Sequence, residues 1–147
     1  MNRIPRRKAV ELCVHLCSTS ALCAAISGCH ESSYFVRTYP APDAIGVQKS
    51  ELFKHHEHRI STYYVLIKDK RLRNPICLFI RANGGYSAVE AVCTHKSCRL
   101  MPHSQGLSCP CHGSEFDIEG TVLVEPASKP LRRFAVKEDG EFLYVLL

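Results

Sequence analysis

The sequence lacks internal repeats, low-complexity tracts and the length of a large enzyme, since its 147 residues correspond to about one domain of typical size. It also has little excess charge outside its first 28 residues. Of the net charge of +5, residues 1–28 supply +3 through Arg3, Arg6, Arg7 and Lys8 against Glu11, and the nearly neutral remainder argues against a nucleic-acid partner. With 46% hydrophobic and 22% charged residues, the chain is neither a disordered tail nor a polytopic membrane protein, and one buried core is expected.

Cysteine, by contrast, is abundant, with nine residues in two groups and one between them. A small protein this rich in sulfur uses it for disulfides, for metal or for both. The lone cysteine, Cys77, falls in an apolar stretch and is expected to be a buried core residue. The two groups are Cys13, Cys17, Cys23 and Cys29, and Cys93, Cys98, Cys109 and Cys111.

Residues 1–28 have the pattern of an export signal, with a basic stretch at 3–8 followed by mostly apolar or small residues at 9–28. An uncleaved membrane anchor is the alternative, although Glu11 and His15 make a membrane span expensive. The end of the segment, residues 26–29 (ISGC), resembles a bacterial lipoprotein box in which Cys29 is lipidated. The pair Arg6-Arg7 resembles a twin-arginine signal. The segment therefore predicts a tethered protein on the periplasmic side of the bacterial cytoplasmic membrane.

Residues 29–59 are predicted to be a polar linker, because they contain Pro40, Pro42 and a charged, histidine-rich run at 54–59. The run is expected to be a solvated loop, since no cysteine or paired carboxylate supports a metal site there.

From residue 60 onward the pattern is that of short strands separated by turns, which predicts an all-β fold. Hairpin turns are predicted at 82–85 (ANGG) and at 138–140 (EDG). The predicted strands are 62–68, 76–81, 86–92, 121–124, 131–137 and 141–146.

Two short segments between these strands carry the chemistry: a first loop, residues 93–98 (CTHKSC), and a second loop, residues 109–114 (CPCHGS). Two cysteines and two histidines make a tetrahedral zinc site, so a zinc-stabilised binding module is one interpretation. The loops nevertheless offer six candidate ligands for four positions. A disulfide between the loops is the economical use of the remaining pair.

These motifs resemble the cluster-binding loops of Rieske iron–sulfur proteins of the disulfide-containing branch, and the similarity covers about residues 60–147. It includes Phe116, Asp117 and Gly120 and the segment 126–131 (PASKPL). The resemblance implies an all-β fold of antiparallel sheets with a two-loop subdomain that binds one [2Fe-2S] cluster. It further implies that Cys93 and Cys109 bind one iron, that His95 and His112 bind the other, and that Cys98 pairs with Cys111.

Other residues of the loops are expected to tune the cluster. Gly113 lets the backbone approach the sulfides, and Ser114 is positioned in the motif to donate its hydroxyl to a sulfur. Related proteins commonly carry a tyrosine two residues after this serine, where this chain has Phe116. Residues 126–130 resemble the third, proline-containing loop that covers the cluster in the family, and Glu125 stands where the family usually has glycine. We call residues 125–130 the proline loop. His103 is expected to be a surface residue.

The resemblance implies a one-electron carrier with no catalytic residues of its own. We expect a subunit of, or donor to, a periplasmic or respiratory oxidoreductase; the alternative is the Rieske subunit of a quinol-oxidising cytochrome bc-type complex. Quinol-oxidising relatives usually have leucine and glycine after the first histidine, whereas this chain has Lys96 and Ser97. Because lysine is a poor wall for an apolar quinone pocket, Lys96 is predicted to face a redox protein partner. A ferredoxin of a ring-hydroxylating oxygenase is disfavoured by the disulfide pair and the signal.

The lipoprotein interpretation predicts that Cys29 carries the lipid. Metabolic labelling with a fatty acid in a bacterial host should mark the protein, and Cys29→Ser should abolish the label while the cluster is retained. A mature protein without label, starting at another residue or at Met1, would contradict the interpretation.

Overall fold

The computed structural model describes residues 35–52, 62–81 and 83–147. This part of the chain contains twelve short strands and one helical turn. The strands form three four-stranded sheets with antiparallel pairing, which confirms the predicted all-β class. No helix among the described residues has the length and apolar character needed to span a bilayer. The elements are β1 Thr38–Ala41, β2 Ala44–Gln48, α1 Lys49–Leu52, β3 Thr62–Ile67, β4 Ile76–Arg81, β5 Tyr86–Glu90, β6 Met101–His103, β7 Gly106–Ser108, β8 Glu115–Asp117, β9 Val122–Val124, β10 Arg133–Phe134, β11 Val136–Asp139 and β12 Phe142–Leu146.

The middle sheet, in the order β10-β5-β4-β3, is covered on both faces. Successive side chains of a strand point to opposite faces, and β4 follows this rule strictly. Its Ile76, Leu78 and Ile80 join one hydrophobic core, whereas Cys77 and Phe79 join another. The expectation of a single core was therefore wrong, because one sheet separates two.

The base sheet, in the order β1-β2-β12-β11, packs on one face of the middle sheet. Its strand β2 contributes Ile45 and Val47, which are fully buried and lie opposite Val145 and Leu143 of β12. Strands β1 and β2 and the helical turn α1 fall within the predicted linker 29–59, so the linker prediction fails for residues 38–52. The alternation of apolar residues in β2 spans only five residues and follows a proline-rich turn. Composition therefore did not identify this segment as part of the folded domain.

The site sheet, in the order β6-β7-β8-β9, contributes to the core on the other face of the middle sheet. That core combines Phe79 and Val89 of the middle sheet with Leu107 and Phe116 of the site sheet. The two cysteine-containing loops emerge around this sheet, the first before β6 and the second between β7 and β8.

The predicted strand 131–137 is two strands in different sheets. Arg133 and Phe134 of β10 pair with β5 in the middle sheet, whereas Val136 begins β11 of the base sheet. Ala135 lies at the crossing, where its carbonyl accepts a hydrogen bond from the Leu146 amide. A continuous run of strand-forming residues does not reveal where the chain changes sheets.

The hairpin between β6 and β7 depends on a glycine. Gly106 has φ +155°, and a Cβ at this position would lie 2.0 Å from the carbonyl oxygen of Phe116 on the neighbouring strand. By comparison, Gly84 has φ +85° and open space where a Cβ would stand. The two positions therefore separate backbone strain from a steric clash.

We expect Gly106→Ala to lower the free energy of unfolding well beyond Gly84→Ala. The Gly84 variant carries only the left-handed penalty of about 1–2 kcal/mol, whereas the Gly106 variant adds overpacking of about 1–3 kcal/mol. Denaturant titration of both variants followed by circular dichroism measures the difference. Equal midpoints would contradict the role given to the close approach at Gly106.

Candidate metal centre

The two loops have the same backbone hydrogen bonds. In the first, the Cys93 amide donates to the Cys98 carbonyl and the Ser97 amide donates back to the Cys93 carbonyl, both at 2.8 Å. In the second, the Cys109 amide donates to the Ser114 carbonyl at 2.8 Å and the Gly113 amide donates to the Cys109 carbonyl at 3.0 Å. Antiparallel pairs just outside each loop, between residues 92 and 99 and between residues 108 and 115, continue the closure.

Each loop turns through a left-handed residue at its fifth position. Ser97 has φ +56° and Gly113 has φ +78°. Glycine adopts this conformation at no steric cost, whereas serine pays a penalty there. The left-handed backbone is thus a reason for glycine at position 113 separate from the predicted approach to the sulfides, which stays a prediction; a Cβ there would have no neighbour within 4 Å.

Both candidate sulfur ligands are buried and free. Cys93 is 1% exposed and Cys109 is 3% exposed, and neither forms a disulfide. Burial raises the pKa of the Cys109 thiol, but hydrogen bonds to its sulfur from the backbone N–H groups of Cys111 and His112, and from the Cys93 thiol, outweigh burial and leave the pKa below its usual value. The surroundings of Cys109 therefore favour a negatively charged sulfur, the form that binds metal.

The candidate histidine ligands lie side by side, one from each loop. The ring centroids of His95 and His112 are 4.8 Å apart, with the rings nearly perpendicular. The Nδ1 atom of His95 is buried and has no hydrogen-bond partner among the described residues. Such an atom is costly to leave unpaired, and its lone pair is available to a metal. His112 is exposed, whereas His95 is half-buried.

A disulfide joins Cys98 of the first loop to Cys111 of the second, as the resemblance to the family implied. The Cys109 sulfur lies within 4.8 Å of both disulfide sulfurs. Because the sulfurs of Cys98 and Cys111 are bonded to each other and cannot become thiolates, these three cysteines do not form a metal site by themselves. The covalent link instead holds the two ligand-bearing loops against each other.

The proline loop is tied to both other loops by side-chain hydrogen bonds. Thr94 of the first loop donates its hydroxyl to the Lys129 carbonyl at 2.6 Å. Ser114 of the second loop, which is fully buried, accepts a hydrogen bond from the Ala127 amide at 2.9 Å. The Ser114 hydroxyl proton therefore remains free to donate elsewhere. The role of Thr94 was not predicted from the sequence, although its hydroxyl lies within a loop that bears candidate ligands.

The remaining predicted residues have clear positions. Phe116 is 1% exposed and lies in the core beneath the loops, and Cys77 is fully buried in the same core, as expected for it. Lys96 is exposed beside His95. His103 is exposed in β6, where its Nδ1 accepts a hydrogen bond from the Gln105 amide at 3.3 Å. Cys29, the export signal and the histidine-rich run lie outside the described residues.

The residues present fit a [2Fe-2S] cluster with mixed ligation. Each loop supplies one buried thiol and one imidazole; the thiols of Cys93 and Cys109 share a hydrogen bond, and the two imidazole rings are neighbours. The buried Nδ1 of His95 has no other partner among the described residues. Two cysteines with two histidines in place of four cysteines is the ligand chemistry of a Rieske centre. Zinc would use the same four residues around one ion, and the disulfide-forming pair, Cys98 and Cys111, is left over in either case.

Comparison with known proteins supports this fit. The family model described as "Rieske [2Fe-2S] domain" matches residues 48–135. The chain is 36% identical over 70 residues to carotenoid phi-ring synthase of Chlorobaculum tepidum, a match covering 46% of this chain and 11% of that protein. It is 33% identical over 75 residues to cytochrome b6-f complex iron-sulfur subunit 2 of a Nostoc species, covering 48% of this chain and 42% of that protein. It thus spans less than half the length of either.

A solved structure shows the same architecture. The plasma membrane Rieske protein PetC3 of Synechocystis PCC 6803 superposes with a TM-score of 0.52 at 30% sequence identity, and the match covers 57% of this chain and 86% of that one.

Loss of one ligand sulfur should abolish the cluster, because a four-ligand site has no spare member. We expect Cys109→Ser to lose the Rieske electron paramagnetic resonance (EPR) signal and the bound iron. Cys77→Ala, which removes an equally buried but uninvolved thiol, should keep both.

The disulfide variants should behave differently from the ligand variant. Cys98→Ser and Cys111→Ser are expected to assemble some cluster that is lost faster on dilution or warming, since the link constrains the loops. A full-intensity EPR signal from Cys109→Ser would refute the ligand assignment.

Proposed function

Because this chain belongs to the Rieske [2Fe-2S] domain family, we propose that it transfers one electron at a time through a cluster held by Cys93, His95, Cys109 and His112. The observation that carries the proposal is that two loops with the same backbone hydrogen bonds each bear one free, buried thiol and one imidazole, and that the two imidazoles are neighbours. When bound, the cluster accepts and releases a single electron.

The chain's own residues set the conditions for that transfer. Two thiolates and two neutral imidazoles bring less negative charge than four thiolates, which favours acceptance of an electron. The hydroxyl of Ser114, already an acceptor for Ala127, is left to donate to a sulfur and to stabilise added negative charge. His112 is the exposed ligand and therefore the point at which electrons leave or enter. Electron exchange needs no further catalytic group, so the protein acts as a carrier.

We infer that the partner is a quinol-oxidising cytochrome bc-type complex, in which the chain is the Rieske subunit. The iron–sulfur subunit relatives from cytochrome b6-f complexes support this inference; one from Chlorobaculum tepidum is 32% identical over 69 residues. They favour the cytochrome complex over the expected role as a subunit of a periplasmic oxidoreductase.

We also propose that the protein is exported and tethered to a membrane through its N-terminal segment. Two observations support this. The basic and apolar pattern of residues 1–28 is that of a signal. The bond between Cys98 and Cys111 is of the kind that persists in an oxidising compartment.

Identification of co-purifying subunits tests the partner. The full-length chain, affinity-tagged at its C-terminus and expressed in its native host, should retain a b-type cytochrome after mild detergent extraction. Quinol should then reduce the Rieske cluster of the isolated complex, as followed by EPR. Purification with the large subunit of another oxidoreductase, and without a cytochrome, would overturn this partner while leaving electron transfer intact.

Two substitutions should move the midpoint potential in opposite directions. Ser114→Ala removes a hydroxyl donor and should lower the midpoint potential. Phe116→Tyr adds a hydroxyl two residues after Ser114 and should raise the potential. For one electron, a hydrogen bond stronger by about 1.4 kcal/mol in the reduced state corresponds to about 60 mV. Protein-film voltammetry measures both shifts.

The Ser114 variant also leaves the buried Ala127 amide without its acceptor, so its unfolding midpoint should fall as well. Phe116→Leu, which has no hydroxyl, is the control for altered packing. An unchanged potential in Phe116→Tyr would contradict the tuning argument.

A further inference from the structure

Three exposed cations belong to the first loop, to the residue that follows it and to the proline loop. Lys96 follows His95 directly, Arg99 follows the disulfide cysteine of the same loop, and Lys129 lies in the proline loop. The hydrogen bond from the Thr94 hydroxyl to the Lys129 carbonyl brings the first loop and the proline loop together. We call Lys96, Arg99 and Lys129 the basic rim.

The charges of the basic rim are unpaired within the described part of the chain. None of its three side chains forms an ion pair within the described part of the chain, where the ion pairs found are Lys49–Glu138, Arg71–Asp69, and Glu119 with Arg81 and Arg133. The first loop, the second loop and the proline loop together contain one acidic residue, the exposed Glu125. The other exposed carboxylate close in sequence, Glu115, directly follows the second loop. The balance at this end of the molecule is therefore positive.

Cations near the exposed His112 affect the rate at which a charged partner associates with the protein. A cluster of charges of one sign attracts a partner of the opposite sign and orients it, which raises the association rate constant and makes it depend on salt. Hydrated lysines add nothing to the binding of an apolar quinol, so the basic rim acts on the redox protein with which the cluster exchanges its electron. The side chains that a partner meets first are thus those of the basic rim and His112.

We propose that the basic rim docks an acidic protein, one whose surface carboxylates surround its own redox centre, and that it orients this protein for electron exchange at His112. This inference rests on the proposed electron-transfer function and adds the charge class of the protein that exchanges the electron. It follows from three exposed cations without an ion pair among the described residues: Lys96 in the first loop, Arg99 directly after it, and Lys129 in the proline loop that a hydrogen bond joins to the first loop.

A pair of matched redox proteins tests the proposal. Native cytochrome c is basic, and its succinylated form keeps the same fold but is acidic. Reduced full-length protein is mixed with each in a stopped-flow instrument, at roughly 20 and 200 mM salt, between which screening rises severalfold. We expect the succinylated form to react faster at low salt and to lose about tenfold in rate at high salt, as steered encounters do.

Charge reversal locates the effect. Lys96→Glu should slow the succinylated form about tenfold at low salt and speed the native form. The control is Lys137→Glu, which makes the same change of net charge on an exposed side chain of β11 in the base sheet and should change either rate by less than about twofold. Equal effects of the two variants would show that net charge alone matters and would overturn the proposal.

Two further readouts separate this proposal from the proposed function. Ferricyanide oxidation in the presence of excess salt reports whether the cluster exchanges electrons at all, and failure there would refute the function rather than the docking. Binding of oxidised protein to succinylated cytochrome c by calorimetry, lost in Lys96→Glu but not in Lys137→Glu, supports docking independently of turnover. Co-sedimentation with vesicles of phosphatidylserine that depends on Lys96, with no preference between the cytochromes, would overturn the proposal and assign the rim to a membrane surface instead.

Discussion

In both ligand-bearing loops, the amide of the leading cysteine is bound to the carbonyl five residues later, and the arrangement of the metal centre depends on this closure. It forces each loop to turn back within six residues, and it requires a left-handed residue at the fifth. The turn points the amides of Cys111 and His112 at the Cys109 sulfur, which favours negative charge there. The disulfide then fixes one closed loop against the other. The backbone geometry of the two loops thus determines where the side chains that could bind the metal are placed.

The middle sheet determines where these loops stand. Since β4 is buried on both faces, it forms one wall of a core with the base sheet and one wall of a core with the site sheet. The second of these cores runs continuously from Phe79 to Cys93 and Cys109. The thiols of Cys93 and Cys109, the candidate ligands, are therefore part of a packed interior, whereas His112 is exposed.

How far the sequence predicts the molecule differs from one element to another. The apolar run of β4 was predicted with its observed ends, because turn residues flank it and both faces are buried. The two loops were recognisable because ligand types at fixed spacing are rare by chance. The crossing at Ala135 was not predictable, since strand propensity is the same on either side of it. The ties made by Thr94 and Ser114 to the proline loop join residues 35 and 13 positions apart, and local pattern carries no information about such pairs.

The division of β4 between two cores also bears on how such a chain changes over generations. Neighbouring residues 77 and 78 contact different sets of packing partners, so a replacement at one is compensated by partners that the other does not share. Drift in the base sheet can then proceed without disturbing the interior that holds the sulfurs. A little under half of this chain is similar to proteins as different in length as a carotenoid phi-ring synthase and an iron-sulfur subunit of a cytochrome b6-f complex, as expected if its two halves change independently.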